Sequence, residues 1–281
     1  MNQSMPRFLR RWIRQAYFAG PELDDAMKAC QRFAEKGLRG SAGYWPGNDD
    51  TPESVANAYL AAIDAIAKNN LDCSVSIKVM ELDFDHELVA GITESAASAG
   101  IGIHYDSRSL ELADQTFAMV AESAQHPLPI GCTLPGRWER SLDDADFAIK
   151  LGVNVRVVKG QWADPDHPDI DLRQGYLDVV DRLAGRARQV GIATHDPWLA
   201  SEALRRLVEA GTACELEQLF GLPSRQTLRI AHDLGVPVRM YVPYGNSWVP
   251  YVHAWVRRNP RVVWWVARDL LLGFKSYLIK S

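Results

Sequence analysis

The sequence predicts an α/β chain folded as a (β/α)8 TIM barrel with an N-terminal helical arm. Three observations predict it. Eight apolar, β-rich stretches recur along the chain. Longer amphipathic segments separate them, and strands that alternate with helices pair in parallel. The length of 281 residues, with 47% hydrophobic residues, suits a single barrel with a sizeable core. One domain is therefore expected over 1–281, divided into an arm at 1–37 and a barrel at 38–281.

The arm runs from about Met5 to Lys36 and reads as two helices split at "AGPELDD", with Asp24 or a neighbour capping the second. Arg7, Arg10, Arg11 and Arg14 recur at helical spacing around Phe8, Trp12 and Ile13. That pattern has two readings, a helix docked on the domain or a membrane-surface helix. Membrane contact is thus at most peripheral.

The eight strand stretches are "LRGSAGYW", "CSVSIKVME", "GIGIHY", "PIGCTL", "VNVRVVKG", "VGIATHD", "ACELEQL" and "VPVRMYVP". Between the first two lies "TPESVANAYLAAIDAIAKN", a helix with Ala, Leu and Ile at helical spacing behind a Thr cap. "LDVVDRLAGRARQV" is another helical segment. The runner-up is an open doubly wound sheet, which calls for an early glycine-rich phosphate loop. The one GxG, in "AGIGIHY", precedes its strand and lacks the third glycine.

Composition narrows the function classes. A net charge of −4 argues against nucleic acid as the main partner. The four cysteines, Cys30, Cys73, Cys132 and Cys214, form no CxxC pair, which suggests neither structural zinc nor a disulfide framework. With no apolar run long enough to span a bilayer and no signal-peptide core, a cytoplasmic location is expected.

Barrel active sites form at the C-terminal ends of the strands. Those ends offer Lys78; His104, Tyr105 and Asp106; Arg137; Arg156, Lys159 and Trp162; His195 and Asp196; Glu215, Glu217 and Gln218; and Arg239, Tyr241 and Tyr244. Each has a structural alternative, since a cation at a strand end often only pairs with a neighbouring acid and a histidine is often a core residue. His104, Asp106, His195 and Asp196 are zinc-type ligands. However, Lys78, Arg156 and Lys159 at the same mouth oppose a bare cation, so no metal is expected. The cations suit an anionic, phosphate-bearing cofactor, and Trp162, Tyr241 and Tyr244 suit a flat ring.

"VNVRVVKGQW", "IATHDPWL", "CELEQLFG" and "VRMYVPYGNSWVPY", in order and at strand spacing, resemble the proline dehydrogenase family, FAD enzymes on a (β/α)8 barrel. "FAGPELDDAMKACQRFAEKGL", "SVSIKVMEL" and "NPRVVWWVARDLLLG" extend the resemblance to nearly the whole chain. It implies that Lys78 lies beside flavin and substrate. By the same resemblance Arg156 would hydrogen-bond the flavin ring, and Val158, Lys159 and Gly160 would continue along the cofactor. Thr194 and His195 would touch FAD beyond the ring. Leu219 would pack on the substrate, and Tyr241 would cover it opposite the flavin.

The sequence also departs from the family. Registering on Tyr241, Gly245, Trp248 and Pro260 puts the family's carboxylate-gripping arginine pair on Ala254 and Trp255, and a family glutamate on Arg258. The simplest alignment of "IHYD" puts the third strand's network aspartate on His104, a one-residue shift on Ile103. The fourth strand's flavin-contacting glutamine falls on Pro135, and "GYWPGNDD" replaces the first strand's acidic end. A bidentate arginine–carboxylate clamp contributes roughly a hundredfold or more in affinity.

The main expectation is thus an FAD-dependent dehydrogenase or oxidase acting on a C–N or related bond of an amine or amino-acid derivative other than proline. Its catalytic residues are Lys78, His104 (as the base that takes the substrate's proton) and Tyr241. Arg156, Val158, Lys159, Gly160, Thr194 and His195 bind the cofactor. Trp162, Leu219, Tyr244, Trp255 and Arg258 meet the substrate, a small molecule. The electron acceptor stays open. One alternative is a proline dehydrogenase whose carboxylate clamp has moved to Arg257 or Arg258. The other is a non-catalytic barrel that serves as a binding or partner protein.

Overall fold

In the computed structural model, residues 19–222 and 224–245 are described. The basic helix expected around Arg7–Arg14 and the positions Ala254, Trp255, Arg257 and Arg258 lie outside them. Helix α1 (Leu23–Ala34) begins behind Glu22, whose side chain and that of Asp25 close a reciprocal capping box. The cap is therefore a neighbour of Asp24. Hydrogen bonds from Ala19 N–H to the Pro243 carbonyl and from Gly245 N–H to the Gly20 carbonyl tie the segment before α1 to the last strand.

A strand lies on each of the eight stretches, and two of these strands, the fourth and the eighth, run on past the stretch. In chain order they are β1 (Arg39–Trp45), β2 (Cys73–Ile77), β3 (Ile103–Tyr105), β4 (Ile130–Pro135), β5 (Asn154–Val158), β6 (Val190–Ala193), β7 (Cys214–Leu219) and β8 (Val238–Gly245). They pair in parallel in sequence order and close as a barrel. The seam is the longest ladder, from Arg39 opposite Arg239 to Trp45 opposite Gly245. This is a (β/α)8 barrel.

The helices between strands are α2 (Pro52–Lys68), α3 (His86–Ala99), α4 (Ala113–Ser123), α5 (Ser141–Leu151), α6 (Leu172–Leu183), α7 (Pro197–Glu209) and α8 (Arg225–Asp233). Helix α2 starts at the expected Thr51 cap, which accepts from Ser54 N–H, with Pro52 in the first turn where its missing N–H costs nothing. Helix α6 differs from the sequence expectation by starting earlier and stopping sooner. Asp171 caps it through the N–H groups of Arg173 and Gln174. Past its end, Gly185 takes φ +72°, a left-handed conformation that glycine tolerates and that takes the chain out of the helix.

Strand side chains alternate between faces, and here the two faces differ in chemistry. Val75, Ile77, Ile103, Cys132, Leu134, Val155, Val157, Val190, Ile192, Leu216 and Val242 are buried and apolar, and pack under the helices. The alternate positions point into the bore. They include Ser76, His104, Thr133, Arg156, Glu215, Glu217 and Tyr241, so the bore is lined with polar and charged groups. Among the described residues no helix is long and apolar enough to cross a membrane.

Candidate active site

The site starts from Lys78, the first residue beyond β2. Its backbone N–H donates to the Tyr59 hydroxyl of α2 at 3.1 Å, which fixes where the strand ends. Its side chain is only 2% exposed. The ammonium lies 3.2 Å from Asp106 Oδ2, donates to the Tyr241 hydroxyl and the Tyr44 carbonyl at 3.3 Å each, and sits 4.6 Å above the Trp45 ring.

Asp106 is the hub. Its Oδ1 accepts from Ser76 Oγ at 2.7 Å and Arg156 Nη1 at 2.8 Å, and its Oδ2 accepts from the Tyr241 hydroxyl at 3.1 Å. Burial alone would push this carboxyl up, but Lys78 and Arg156 outweigh it and hold the group at about 2. Asp106 is therefore a fixed negative charge at neutral pH. Arg156 in turn donates Nε to Glu217 Oε2 at 2.5 Å. Burial opposes its charge, and Glu217 and Asp106 outweigh burial, so the guanidinium stays a firm cation.

Tyr241 lies over Arg156, with its ring centre 5.5 Å from the guanidinium carbon. Trp45 Nε1 donates to its hydroxyl at 3.3 Å. Gly43 on β1 makes room for this tyrosine, because a Cβ there would overlap the phenol. Burial raises the Tyr241 phenol well above its ordinary range, so it stays a neutral donor.

These groups open onto a cavity of about 320 Å³ at the barrel mouth, lined also by Thr133, Gln218 and Pro243. Of the residues singled out from sequence, Lys78, Arg156, Val158, Gly160, Thr194, His195, Leu219 and Tyr241 line it. His195 Nε2 accepts from Leu219 N–H at 3.0 Å, which joins the ends of β6 and β7. Gly160 has φ +85°, and a Cβ on it would press into Pro135 and Arg137. Glycine is thus required there both by the left-handed backbone and by the close packing of Pro135 and Arg137. Nε of Arg137 is buried beside it with no hydrogen-bond partner among the described residues.

Four expectations need correction. His104 does not line this cavity. It sits two residues before Asp106 on the same inward parity, about 7 Å deeper. Its Nε2 is 2.9 Å from Thr133 Oγ1, and it lines a second cavity of about 240 Å³ lower in the barrel. Burial, with the positive charge of Arg156 added, drives its pKa well below the usual value, so it stays neutral. The acid of the ion-pair network is Asp106, neither His104 nor Ile103. Tyr244 is an odd number of residues from Tyr241, so it faces out of the bore. It packs on Tyr44 at 5.3 Å and donates to the Ala58 carbonyl. Lys159 alternates away from Arg156 and reaches Asp196 at 3.4 Å. Trp162 is 44% exposed on the loop after β5 and does not line the cavity; its carbonyl accepts from Trp138 Nε1.

Ser76 and Trp45 are candidate-site residues that the sequence reading did not single out, and Glu217, read as a strand-seven residue, was given no role. Ser76 and Glu217 were within reach by counting in twos, from Lys78 back to Ser76 and from Leu219 back to Glu217. Trp45 lies at the end of β1, where the resemblance called for an acid. Among the described residues no group of three or more His, Cys, Asp or Glu is placed to hold a metal ion.

No family model matches the chain. Proline dehydrogenase 1 of Bacillus subtilis (strain 168) is 23% identical over 292 residues, covering 96% of this chain and 96% of the relative. Proline dehydrogenase of Deinococcus radiodurans is 24% identical over 285 residues, covering 93% and 91%. Among solved structures, proline utilization A from Bdellovibrio bacteriovorus, inactivated by N-propargylglycine, superposes with a TM-score of 0.74 at 14% identity over 88% of this chain. Proline utilization A from Corynebacterium freiburgense gives 0.69 at 17% identity over 98% of the chain. The chain spans only 32% and 34% of the length of those two structures. Over nearly its whole length the chain is thus similar in sequence to the proline dehydrogenases, and it shares the barrel fold of these solved structures.

Proposed function

We propose that the protein is an FAD-dependent oxidoreductase that oxidises the C–N bond of a small amino acid or amine. The observation that carries this reading is the Lys78–Asp106–Arg156–Tyr241 network opening onto a largely apolar cavity at the barrel mouth. FAD, when bound, supplies the two-electron acceptor. The donor set suits it: Arg156 faces the cavity, Thr194 and His195 line the adjoining rim, and Arg137 Nε beside Gly160 is a buried donor with no partner among the described residues.

The chain's own residues then have separable tasks. Arg156 presents a fixed cation to a ring that gains negative charge. Tyr241 and Trp45 exclude water on the opposite side. Lys78 and Asp106 hold the tyrosine hydroxyl in place, and Leu219 packs against the substrate. Asp106, at about 2, stays ionised and takes no proton from the substrate at neutral pH. The third strand's acid is present in this network, which favours an enzyme over a non-catalytic binding barrel.

The names of the relatives favour proline, or a cyclic amino acid like it, as the substrate. Its carboxylate would then be gripped by Arg257 or Arg258. A second reading rests on Ala254 and Trp255, which stand where the resemblance places the arginine pair. Neither pairs with a carboxylate, and an indole there favours a larger or less acidic substrate. Anaerobic mixing with millimolar L-proline separates the two. Bleaching of the flavin band within minutes is the expected outcome. A flavin that stays oxidised with proline but is bleached by a neutral amine would establish the second reading. A protein that stays colourless under saturating FAD, with no binding heat, would sink both.

A further inference from the structure

The Arg156 guanidinium is held at two edges by two carboxylates. Asp106 takes Nη1 from the side of β3. Glu217, on β7, takes Nε at 2.5 Å, and both side chains of that pair are 6% exposed. The space for Glu217 is built into the neighbouring strand. In the β6–β7 ladder Gly191 lies opposite Glu215 and Ala193 opposite Glu217, and a Cβ at Gly191 would overlap the Glu217 carboxylate. Glu215, one step deeper, is occupied by Arg39 and Arg239 and leaves Arg156 to Glu217.

This arrangement has an electrostatic consequence. A guanidinium facing an electron-accepting ring favours its reduced, more negative form. A carboxylate one hydrogen bond behind that guanidinium offsets part of the effect, and in a buried site the offset is weakly screened. The pair also fixes the fork of the arginine, since Nε and Nη1 are each assigned to a different acid.

We infer that Glu217 is a positioning residue that sets the electron affinity of the site through Arg156, holding the cation in place while partly cancelling its charge. The inference rests on the flavoenzyme reading above and deepens it. Burial raises the Glu217 carboxyl, and Arg156 counters that rise, as expected of an acid held in place by one cation.

The experiment compares wild type with Glu217→Gln, whose amide oxygen still accepts from Arg156 Nε without the charge. FAD binding is measured first, by absorbance titration and calorimetry, and the midpoint potential of the bound flavin second. Both proteins are expected to bind FAD with similar affinity. Glu217→Gln is expected to shift the redox equilibrium at least tenfold towards the reduced form, a rise of about 30 mV for a two-electron couple. Gly191→Ala, which displaces the carboxylate and keeps its charge, is expected to move the potential in the same direction by less; it also serves if Glu217→Gln does not fold. FAD bound with an unchanged potential in these variants overturns the inference and leaves the flavoenzyme reading standing. Failure of wild type to bind FAD overturns both. A lowered thermal midpoint with no change in potential marks Glu217 as structural only, which also overturns the inference.

Discussion

At the lower end of the barrel, Glu215 accepts from Arg239 Nε at 2.6 Å and from Arg39 Nη1 at 3.2 Å, and Arg239 also donates to the Gly40 carbonyl at 2.6 Å. At the mouth, Asp106 is shared by Lys78 and Arg156, and Glu217 backs the arginine. Both ends are ion networks of two cations and two acids, counting below the exposed Asp72 and the partly exposed Arg39 with Arg239 and the buried Glu215. They differ in what they face. The lower network joins β7, β8 and β1 across the seam where the barrel closes, and spends its donors on backbone and on acids at the barrel's foot. The mouth network turns its cations, with a tyrosine and a tryptophan, towards a cavity with more apolar than polar lining. The same residue types therefore close a barrel at one end and prepare a site at the other. Charge alone does not mark function; the surface it faces does.

The largest expected effect breaks the mouth and spares the foot. Lys78→Met removes a cation between Asp106 and Tyr241 but leaves Asp106 its bonds from Ser76, Arg156 and Tyr241. Turnover of the best amine substrate is expected to fall about a hundredfold, as for loss of one charge-stabilising donor. The thermal midpoint moves little, because a buried lysine is itself costly to desolvate. Steady-state kinetics beside a melting curve checks this. A protein that melts many degrees lower with normal turnover per folded molecule would reverse the roles assigned to the two ends.

The converse change is Arg239→Met. It strands Glu215 with Arg39 alone and frees the Gly40 carbonyl. Removing one partner of a buried pair typically costs about 3–5 kcal/mol, and the remaining arginine places this one near the lower figure, about 3 kcal/mol. Urea unfolding measures it. Turnover per folded molecule and FAD affinity are expected to stay near wild type. A loss of FAD binding without loss of stability would show that the foot of the barrel is part of the site.

How much of this was legible in the sequence depends on parity. The barrel, its eight strands and the arm helix follow from apolar stretches and helical periodicity, which are local signals. Within the site, Lys78, Arg156, Leu219 and Tyr241 lie on the inward parity of their strands and line the cavity, as does Val158. Lys159 and Tyr244 lie on the other parity, and the structure turns them away. Short strands hide this: β3 is only three residues long, so "IHYD" did not say which of its polar residues reaches the mouth. Depth along the bore is set by the stagger between strands, which no single strand's sequence contains. Asp106 was read as a strand-end residue from the start, yet its partners Ser76 and Arg156 are 30 and 50 residues away along the chain.

His104 lies between the two ends and gives the smallest and sharpest test of the comparison. It hydrogen-bonds Thr133, which lines the mouth cavity, while the imidazole itself lines the lower one. Burial comes first among the causes that hold it neutral, and Arg156 and Arg239 add to it against the weaker pull of Asp106. A histidine whose folded pKa is depressed contributes stability that is full above its ordinary value of 6.5 and is lost as pH falls below it, because the unfolded chain takes up the proton first. Asp106 acts in the same direction only lower, from its ordinary 3.8 down to about 2. Glu217, raised by burial, acts oppositely and gains stability as it protonates. His104→Gln isolates the histidine from both. The stability difference between wild type and variant is expected to be flat above about pH 7 and to move in the variant's favour below pH 6.5, while turnover at pH 8 stays near wild type. Chemical denaturation at a series of pH values, with one kinetic assay, measures both. If turnover collapses instead and the pH profile of stability does not change, His104 is the proton acceptor the sequence suggested, and the division of the bore into a working mouth and a structural foot is drawn one layer too high.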